Sequence, residues 1–232
     1  MTALHMENSR ILYVTDAGKR EYLPVWELQK QLVNMRLENK LPDTLLLVEH
    51  EPVYTLGRNA SEKNVLASET ELVRHGIRIV RTDRGGDVTY HGPGQIVGYP
   101  IISLRERGKG PVWYVSQLEA VLVLVLQNFG LNPVLDSKRR GVWIGNDKIA
   151  AIGVRITRGI TMHGFALNVV TDLSNYRWII PCGIQDRGVT SMHLLVPSVS
   201  IADVKKEVIR QFCKVFNYRE VVVKQPEELE NL

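Results

Sequence analysis

Between Val142 and Val170 three strand-forming runs, Val142 to Ile144, Lys148 to Thr157 and Thr161 to Val170, are separated only by Gly145-Asn146-Asp147 and Arg158-Gly159. Links that short close hairpins, whereas a parallel pair needs a crossover of a dozen or more residues. The stretch therefore reads as an antiparallel meander. Leu45 to Glu49, Ile77 to Arg81 and Ile96 to Ile102 add further strand-like runs. Helical spacing appears at Val25, Leu28, Leu32 and Met35, and again at Leu118, Val121, Leu122, Val125, Leu126 and Phe129. Ser116 and Glu119 stand at capping-box spacing before the second run and Gly130 follows it, so that helix is expected to start at Ser116 and to be buried nearly all round. A third helix is expected from Ile201 to Phe216, with Ser200 as N-cap and Val204, Val208, Phe212 and Val215 facing inward. Helices and strands are segregated along the chain, which predicts an α+β fold.

The 232 residues show no repeat, no low-complexity segment and no linker, and their 44% hydrophobic content is enough for a substantial core. One domain spanning 1–232 is the expectation. No stretch approaches the roughly 18 apolar residues of a membrane span, and the opening MTALHMENSR lacks an apolar run, so a cytoplasmic protein without membrane contact is expected. The two cysteines, Cys182 and Cys213, belong to no CxxC or Cys/His cluster, which argues against a disulfide framework and a zinc site. A net charge of +4 mildly favours acidic partners. Arg105, Arg107 and Lys109, and Lys138, Arg139 and Arg140, are solvated faces or contacts to an acidic protein or nucleic acid. No nucleic-acid motif accompanies them, and no nucleic-acid partner is predicted.

Four segments carry candidate chemistry. In RGGDVTYHGPGQ, Arg84 to Gln95, four glycines and a proline surround Asp87, Thr89, Tyr90, His91 and Gln95. This is a ligand-lining loop or a tight surface turn; it fits neither GxxxxGK[ST] nor GxGxxG, so phosphate or dinucleotide binding is not supported. Lys148 heads an alternating run that places it with Ala150, Ile152, Val154 and Ile156. On an apolar face its charged form loses hydration and a neutral amine becomes available as a base; alternatively it snorkels from the strand end. In MHGFALNV, His163 and Gly164 interrupt a strand, with Gly164 marking close approach by a ligand or another backbone and His163 either donating to a carbonyl or sitting satisfied in the core. In IIPCGI, Pro181 and Gly183 hold Cys182 outside a regular ladder, as a nucleophile beside an oxyanion site would need, although a buried structural cysteine is the alternative. Cys213 lies within the third helix and reads as a core side chain.

RGGDVTYHGPGQ, GVWIGNDKIAAIGVRI, TMHGFALNV and PCGI occur together in an order and spacing that resemble the lipoyl(octanoyl) transferase family, from about Leu45 to Thr190. The resemblance implies the biotin and lipoate ligase catalytic fold, a mixed, largely antiparallel sheet with flanking helices. It implies transfer of an octanoyl group from octanoyl-acyl carrier protein to a lysine on lipoyl domains of 2-oxoacid dehydrogenases or on glycine-cleavage H protein. It places the nucleophile at Cys182 and its lysine partner at Lys148. The acyl-binding wall falls on Arg84, Gly85, Gly86, Asp87, Val88, Thr89, Tyr90 and His91, on Ala151, Ile152 and Gly153, and on Gly164, Phe165 and Ala166, with His163 as a possible supporting residue. No cofactor and no metal are implied. The contrasting readings are an ATP-dependent ligase of the same fold, an amidotransferase moving octanoyl groups between lipoyl domains, and a basic binding module.

Overall fold

The computed structural model describes residues 11–183 and 186–230, with the side chains of Cys182 and Glu230 outside the description. Twelve strands are present among the described residues: β1 (Ile11–Arg20), β2 (Asp43–His50), β3 (Val53–Leu56), β4 (Arg78–Arg81), β5 (Val88–His91), β6 (Gln95–Ile101), β7 (Pro133–Leu135), β8 (Val142–Ile144), β9 (Asp147–Thr157), β10 (Ile160–Asn168), β11 (Gly188–Val189) and β12 (Glu220–Val223). The main sheet runs β12-β1-β2-β6-β10-β9-β8-β7, with β11 beside β9, and a small sheet runs β4-β3-β5. The meander β8-β9-β10 is antiparallel throughout, as its short turns require. β1 pairs in parallel with β2 and β12, and β3 with β4. The sheet is thus mixed but mostly antiparallel, within an α+β fold.

Three long helices cover the main sheet: α1 (Tyr22–Leu37), α2 (Pro111–Asn128) and α3 (Ile201–Phe216). Strand β2 shows why both faces must be covered. Its side chains alternate, Leu45 and Leu47 joining the core under α2 and α3 while Leu46 and Val48 join the core under α1. Each such fully buried side chain contributes roughly 1.5–3 kcal/mol of transfer free energy. On α3, Val204, Val208, Phe212 and Phe216 form the inward stripe; Ser200 accepts the Asp203 N–H at one end, and Asn217 closes the other in a left-handed conformation with φ of 60°. Pro24 sits in the first turn of α1, where a missing N–H costs nothing.

Helix α2 does not begin at Ser116. Pro111 occupies its first turn after Gly110, because proline's fixed φ starts a helix where no N–H partner is needed. Glu119 instead faces inward, accepting from Arg140 and from the Gly141 N–H. A third cluster, under the small sheet, gathers Tyr54, Leu56, Val88, Tyr90, Tyr176 and Ile179. Cys213 is half-buried in α3 against the first core, and burial raises its thiol pKa. Among the described residues no helix is long and apolar enough to cross a membrane.

Candidate active site

The main sheet and the small sheet meet over a cavity of about 460 Å³, counting the space at its open mouth. Its floor is the crossing of β9, β10 and β6. Ala151 pairs with Ala166 and Gly153 with Gly164, so four of the floor residues have almost no side chain, beside the larger Val97, Ile152 and Phe165. Gly164 is compelled by a neighbour, and Gly153 is closely approached by one. A Cβ on Gly164 would run into the Gly98 carbonyl of β6, and one on Gly153 would lie 3.1 Å from the Gly85 carbonyl and 3.2 Å from Arg84 Cδ. The close approach that Gly164 marks is therefore made by an adjacent backbone.

The roof comes from the glycine-rich segment. Arg84 is buried and folds back on the small sheet, its Nη2 donating to the Thr55 carbonyl (2.5 Å) and hydroxyl (2.9 Å). The Gly85 N–H donates to the Val154 carbonyl, tying the roof to β9. Asp87 accepts from the Val88 and Ser61 N–H groups and from Asn64 Nδ2. Beyond it, β5 alternates: Thr89 and His91 face the cavity, while Val88 and Tyr90 face the third cluster. Val88, Tyr90 and Gly85 thus do not line this cavity, although they were expected on its wall; period two sends the first two to the opposite face, and Gly85 serves as backbone at the rim. The cavity is lined by Arg84, Gly86, Asp87, Thr89 and His91, by Ala151, Ile152 and Gly153, and by His163, Gly164, Phe165 and Ala166, joined by Tyr22, Val97 and Tyr99.

A second cavity continues the first, sharing Thr89, Ala151 and Ala166 and adding Lys148, Asn168, Tyr176, Pro181 and Val189. Lys148 reaches it through a β-bulge. Val142 pairs with Ala150 but Trp143 pairs with Lys148, leaving Ile149 as an extra residue. Strict alternation would put Lys148 with Ala150, which packs in the core under α2; the bulge breaks that phase and re-aims the side chain. Lys148 is 8% exposed, and its ammonium lies 4.7 Å from the centre of the Trp143 ring. Pro181 and Gly183 flank Cys182 in a one-turn 3-10 helix, and a Cβ on Gly183 would lie 3.2 Å from Asp87 Oδ2. The backbone carrying Cys182 therefore borders both cavities. Its thiol lies outside the described residues.

Residues 21–213 match the model of the lipoyl protein ligase A/B catalytic domain. The chain belongs to that family. The octanoyltransferase of Alkaliphilus metalliredigens is 47% identical over 209 residues, covering 89% of this chain and 96% of that protein. Within the family the chain is an acyltransferase of the lipoyl(octanoyl) transferase type. Among solved structures, the bi-partite lipoate protein ligase of Thermoplasma acidophilum superposes with a TM-score of 0.66 at 19% identity, over 96% of this chain and 90% of that one. Biotin protein ligase from Aquifex aeolicus does so with a TM-score of 0.55 at 10% identity, over 88% and 70%. These two likenesses show a common fold.

What sequence reasoning missed in this lipoyl protein ligase A/B domain is Tyr22, His50 and Tyr99, which join His91 and His163 at one end of the larger cavity. Tyr22 from α1 and Tyr99 from β6 close it, backed by His50, His91 and His163. Each imidazole has its tautomer fixed by an acceptor. His50 Nδ1 donates to the Arg20 carbonyl (3.1 Å), so Nε2 accepts the Tyr99 hydroxyl at 2.8 Å. His91 Nδ1 donates to Gln95 Oε1 at 2.7 Å, because the Gln95 amide already donates to the Tyr90 carbonyl and Asn168 Oδ1. His163 Nε2 donates to Asp83 at 2.7 Å, and its Nδ1 lies 3.5 Å from the Tyr22 hydroxyl.

Burial keeps all three rings neutral, lowering the pKa to about 4 for His50 and about 3 for His163, and well below the ordinary value for His91. His163 stays neutral beside Asp83 because Arg155 pairs with the same carboxylate and Arg84, Arg155 and Lys30 all oppose a further positive charge. Its φ of 57° is held by Gln29 of α1, which accepts the His163 N–H at 2.9 Å. No sequence period signals this cluster, because its members come from α1, β2, β5, β6 and β10. Among the described residues no group of three His, Cys, Asp or Glu is placed to hold a metal ion.

Proposed function

We propose that the protein transfers an octanoyl group from octanoyl-acyl carrier protein to the ε-amino group of a lysine on lipoyl domains or glycine-cleavage H protein, through a thioester on Cys182. The observation that carries this reading is that Lys148 and Pro181, the residue before Cys182, line one cavity that continues into a larger one floored by Ala151, Gly153, Gly164 and Ala166. An eight-carbon chain fits such a floor for a simple reason. Every methylene it removes from water is worth about 0.8 kcal/mol, and Ala151, Gly153, Gly164 and Ala166 take up little of the space themselves.

The chemistry needs two half-reactions. In the first, the Cys182 thiolate attacks the donor carbonyl, the carbon–sulfur bond to the carrier breaks and one to Cys182 forms, with little change in bond energy. Lys148 takes the thiol proton and returns it to the departing carrier thiolate. In the second, the acceptor amine attacks, a carbon–nitrogen bond replaces the bond to Cys182, and the surplus amine proton passes through Lys148 to the Cys182 sulfur. The enzyme returns to its starting state with no ATP consumed. Incubation with octanoyl-acyl carrier protein alone should add one octanoyl group by intact mass, removable by hydroxylamine. Cys182→Ala should carry none, and Lys148→Ala should acquire it about 10²–10⁴-fold more slowly. An equal adduct on Cys182→Ala would refute the thioester, and transfer that depends on ATP would refute the reaction class.

A further inference from the structure

From the Lys148 cavity a wide groove of about 970 Å³, measured to its open mouth, leads to the surface along the segment that carries Pro181. Tyr176, Pro181 and Val189 line both the groove and the cavity, so the two are continuous. Leu173, Ile179 and Ile180 make the floor apolar. Two arginines flank it, and they differ. Arg187 is already engaged, donating to Asp136 at 3.1 Å and lying 4.7 Å from the centre of the Trp143 ring that also holds Lys148. Arg177 is exposed, stacks 5.0 Å from the centre of the Trp178 ring, and makes no hydrogen bond or ion pair among the described residues. Among the described residues strand β11 pairs with β9 alone, and its Gly188 and Val189 line the groove.

A channel that is apolar along its floor, has strand backbone along one side, and carries a stacked guanidinium outside suits a slender chain with methylenes, amides and a terminal phosphate. Resting on the reaction proposed above, we propose that this groove seats the donor's phosphopantetheine arm, with its thioester at Lys148 and its phosphate on Arg177. The arm's carbon atoms then lie on Leu173 and Ile180, and its amides pair with the backbone of β11 as an added strand would. Arg177 supplies a charge-assisted, planar contact to the phosphate, pre-oriented by Trp178.

The test compares two small donors, octanoyl-4′-phosphopantetheine and octanoyl-pantetheine, in single-turnover formation of the acyl-enzyme on the full-length chain. Wild type should favour the phosphorylated donor by about tenfold in kcat/KM, the scale of one charge-assisted contact, and Arg177→Gln should bring the ratio near one. Arg177→Lys keeps the charge without the fork and should recover part of the preference. Equal use of both donors by wild type, or an undiminished preference in Arg177→Gln, overturns the groove assignment while leaving the thioester mechanism intact. Failure of either donor to acylate Cys182, under conditions where octanoyl-acyl carrier protein also fails, overturns both.

Discussion

Keeping His50 and His163 neutral inside the fold ties stability to pH. In the unfolded chain both titrate near 6.5, whereas in the fold their values fall to about 4 and about 3. The unfolded state therefore binds the extra protons first. The stability that neutral burial confers is fully present above pH 6.5 and is lost as the pH falls below it, by about 1.4 kcal/mol per unit for each ring until the folded value is reached. Between pH 7.5 and pH 5 the loss is about 2 kcal/mol per ring and about 4 kcal/mol for the pair, against a typical total of roughly 5–15 kcal/mol. His91 adds to the loss with the same sign. His50 is the cleaner site for perturbation: it is fully buried, the influence that opposes its burial is the Arg20 carbonyl, and glutamine can mimic both its hydrogen bonds. His50→Gln should be less stable at pH 7.5 by about 1–2 kcal/mol through altered packing, yet lose about 2 kcal/mol less than wild type on going to pH 5. Urea titrations read by tryptophan fluorescence, with the m value checked for constancy, measure both. An identical pH 7.5 to pH 5 drop in the two proteins would refute the assignment of a neutral, linked His50.

Two further outcomes follow from the cavity floor. Gly153→Val adds bulk at a position that lines the cavity, with its Cβ 3.1 Å from the Gly85 carbonyl and 3.2 Å from Arg84 Cδ; the preferred donor should shorten by one or two carbons, at about fourfold in kcat/KM per methylene, and an unchanged ratio of eight- to six-carbon donors would count against this wall. Gly98→Ala places a Cβ against the Phe165 ring, which the core under α2 and α3 prevents from moving away, so it should cost about 1–3 kcal/mol in urea unfolding.

The parts of this molecule that sequence reveals are those where one local period governs. The meander from Val142 to Asn168 follows from its turn lengths, and α3 follows from Ser200 and its apolar stripe, to within a residue of the structure. The glycine-rich segment stands out in sequence because its glycines and proline sit among polar residues, and part of it lines the cavity, but the division of labour within β5 is not legible, since a four-residue strand gives no sign of which face meets the cavity. The parallel pairing of β1 with β12 joins the two ends of the described chain, and no local pattern encodes it. Lys148 shows most sharply where local reasoning stops. Alternation read forward from Lys148 places it beside Ala150 in the core, and only the pairing of β8 with β9 reveals the extra residue at Ile149 that turns it out. A bulge is a property of two strands, so one strand's sequence cannot display it. The same holds for the network behind the cavity. Gln95 donates to Asn168, Asn168 donates to the Thr190 carbonyl, and the Thr190 N–H donates to the Lys148 carbonyl, so the loop that fixes the His91 tautomer is coupled by hydrogen bonds to the strand that bears Lys148. Residues that look like independent motifs along the chain are thereby held in one frame, the glycine-rich segment that shapes the larger cavity being tied by hydrogen bonds to the strand that bears Lys148.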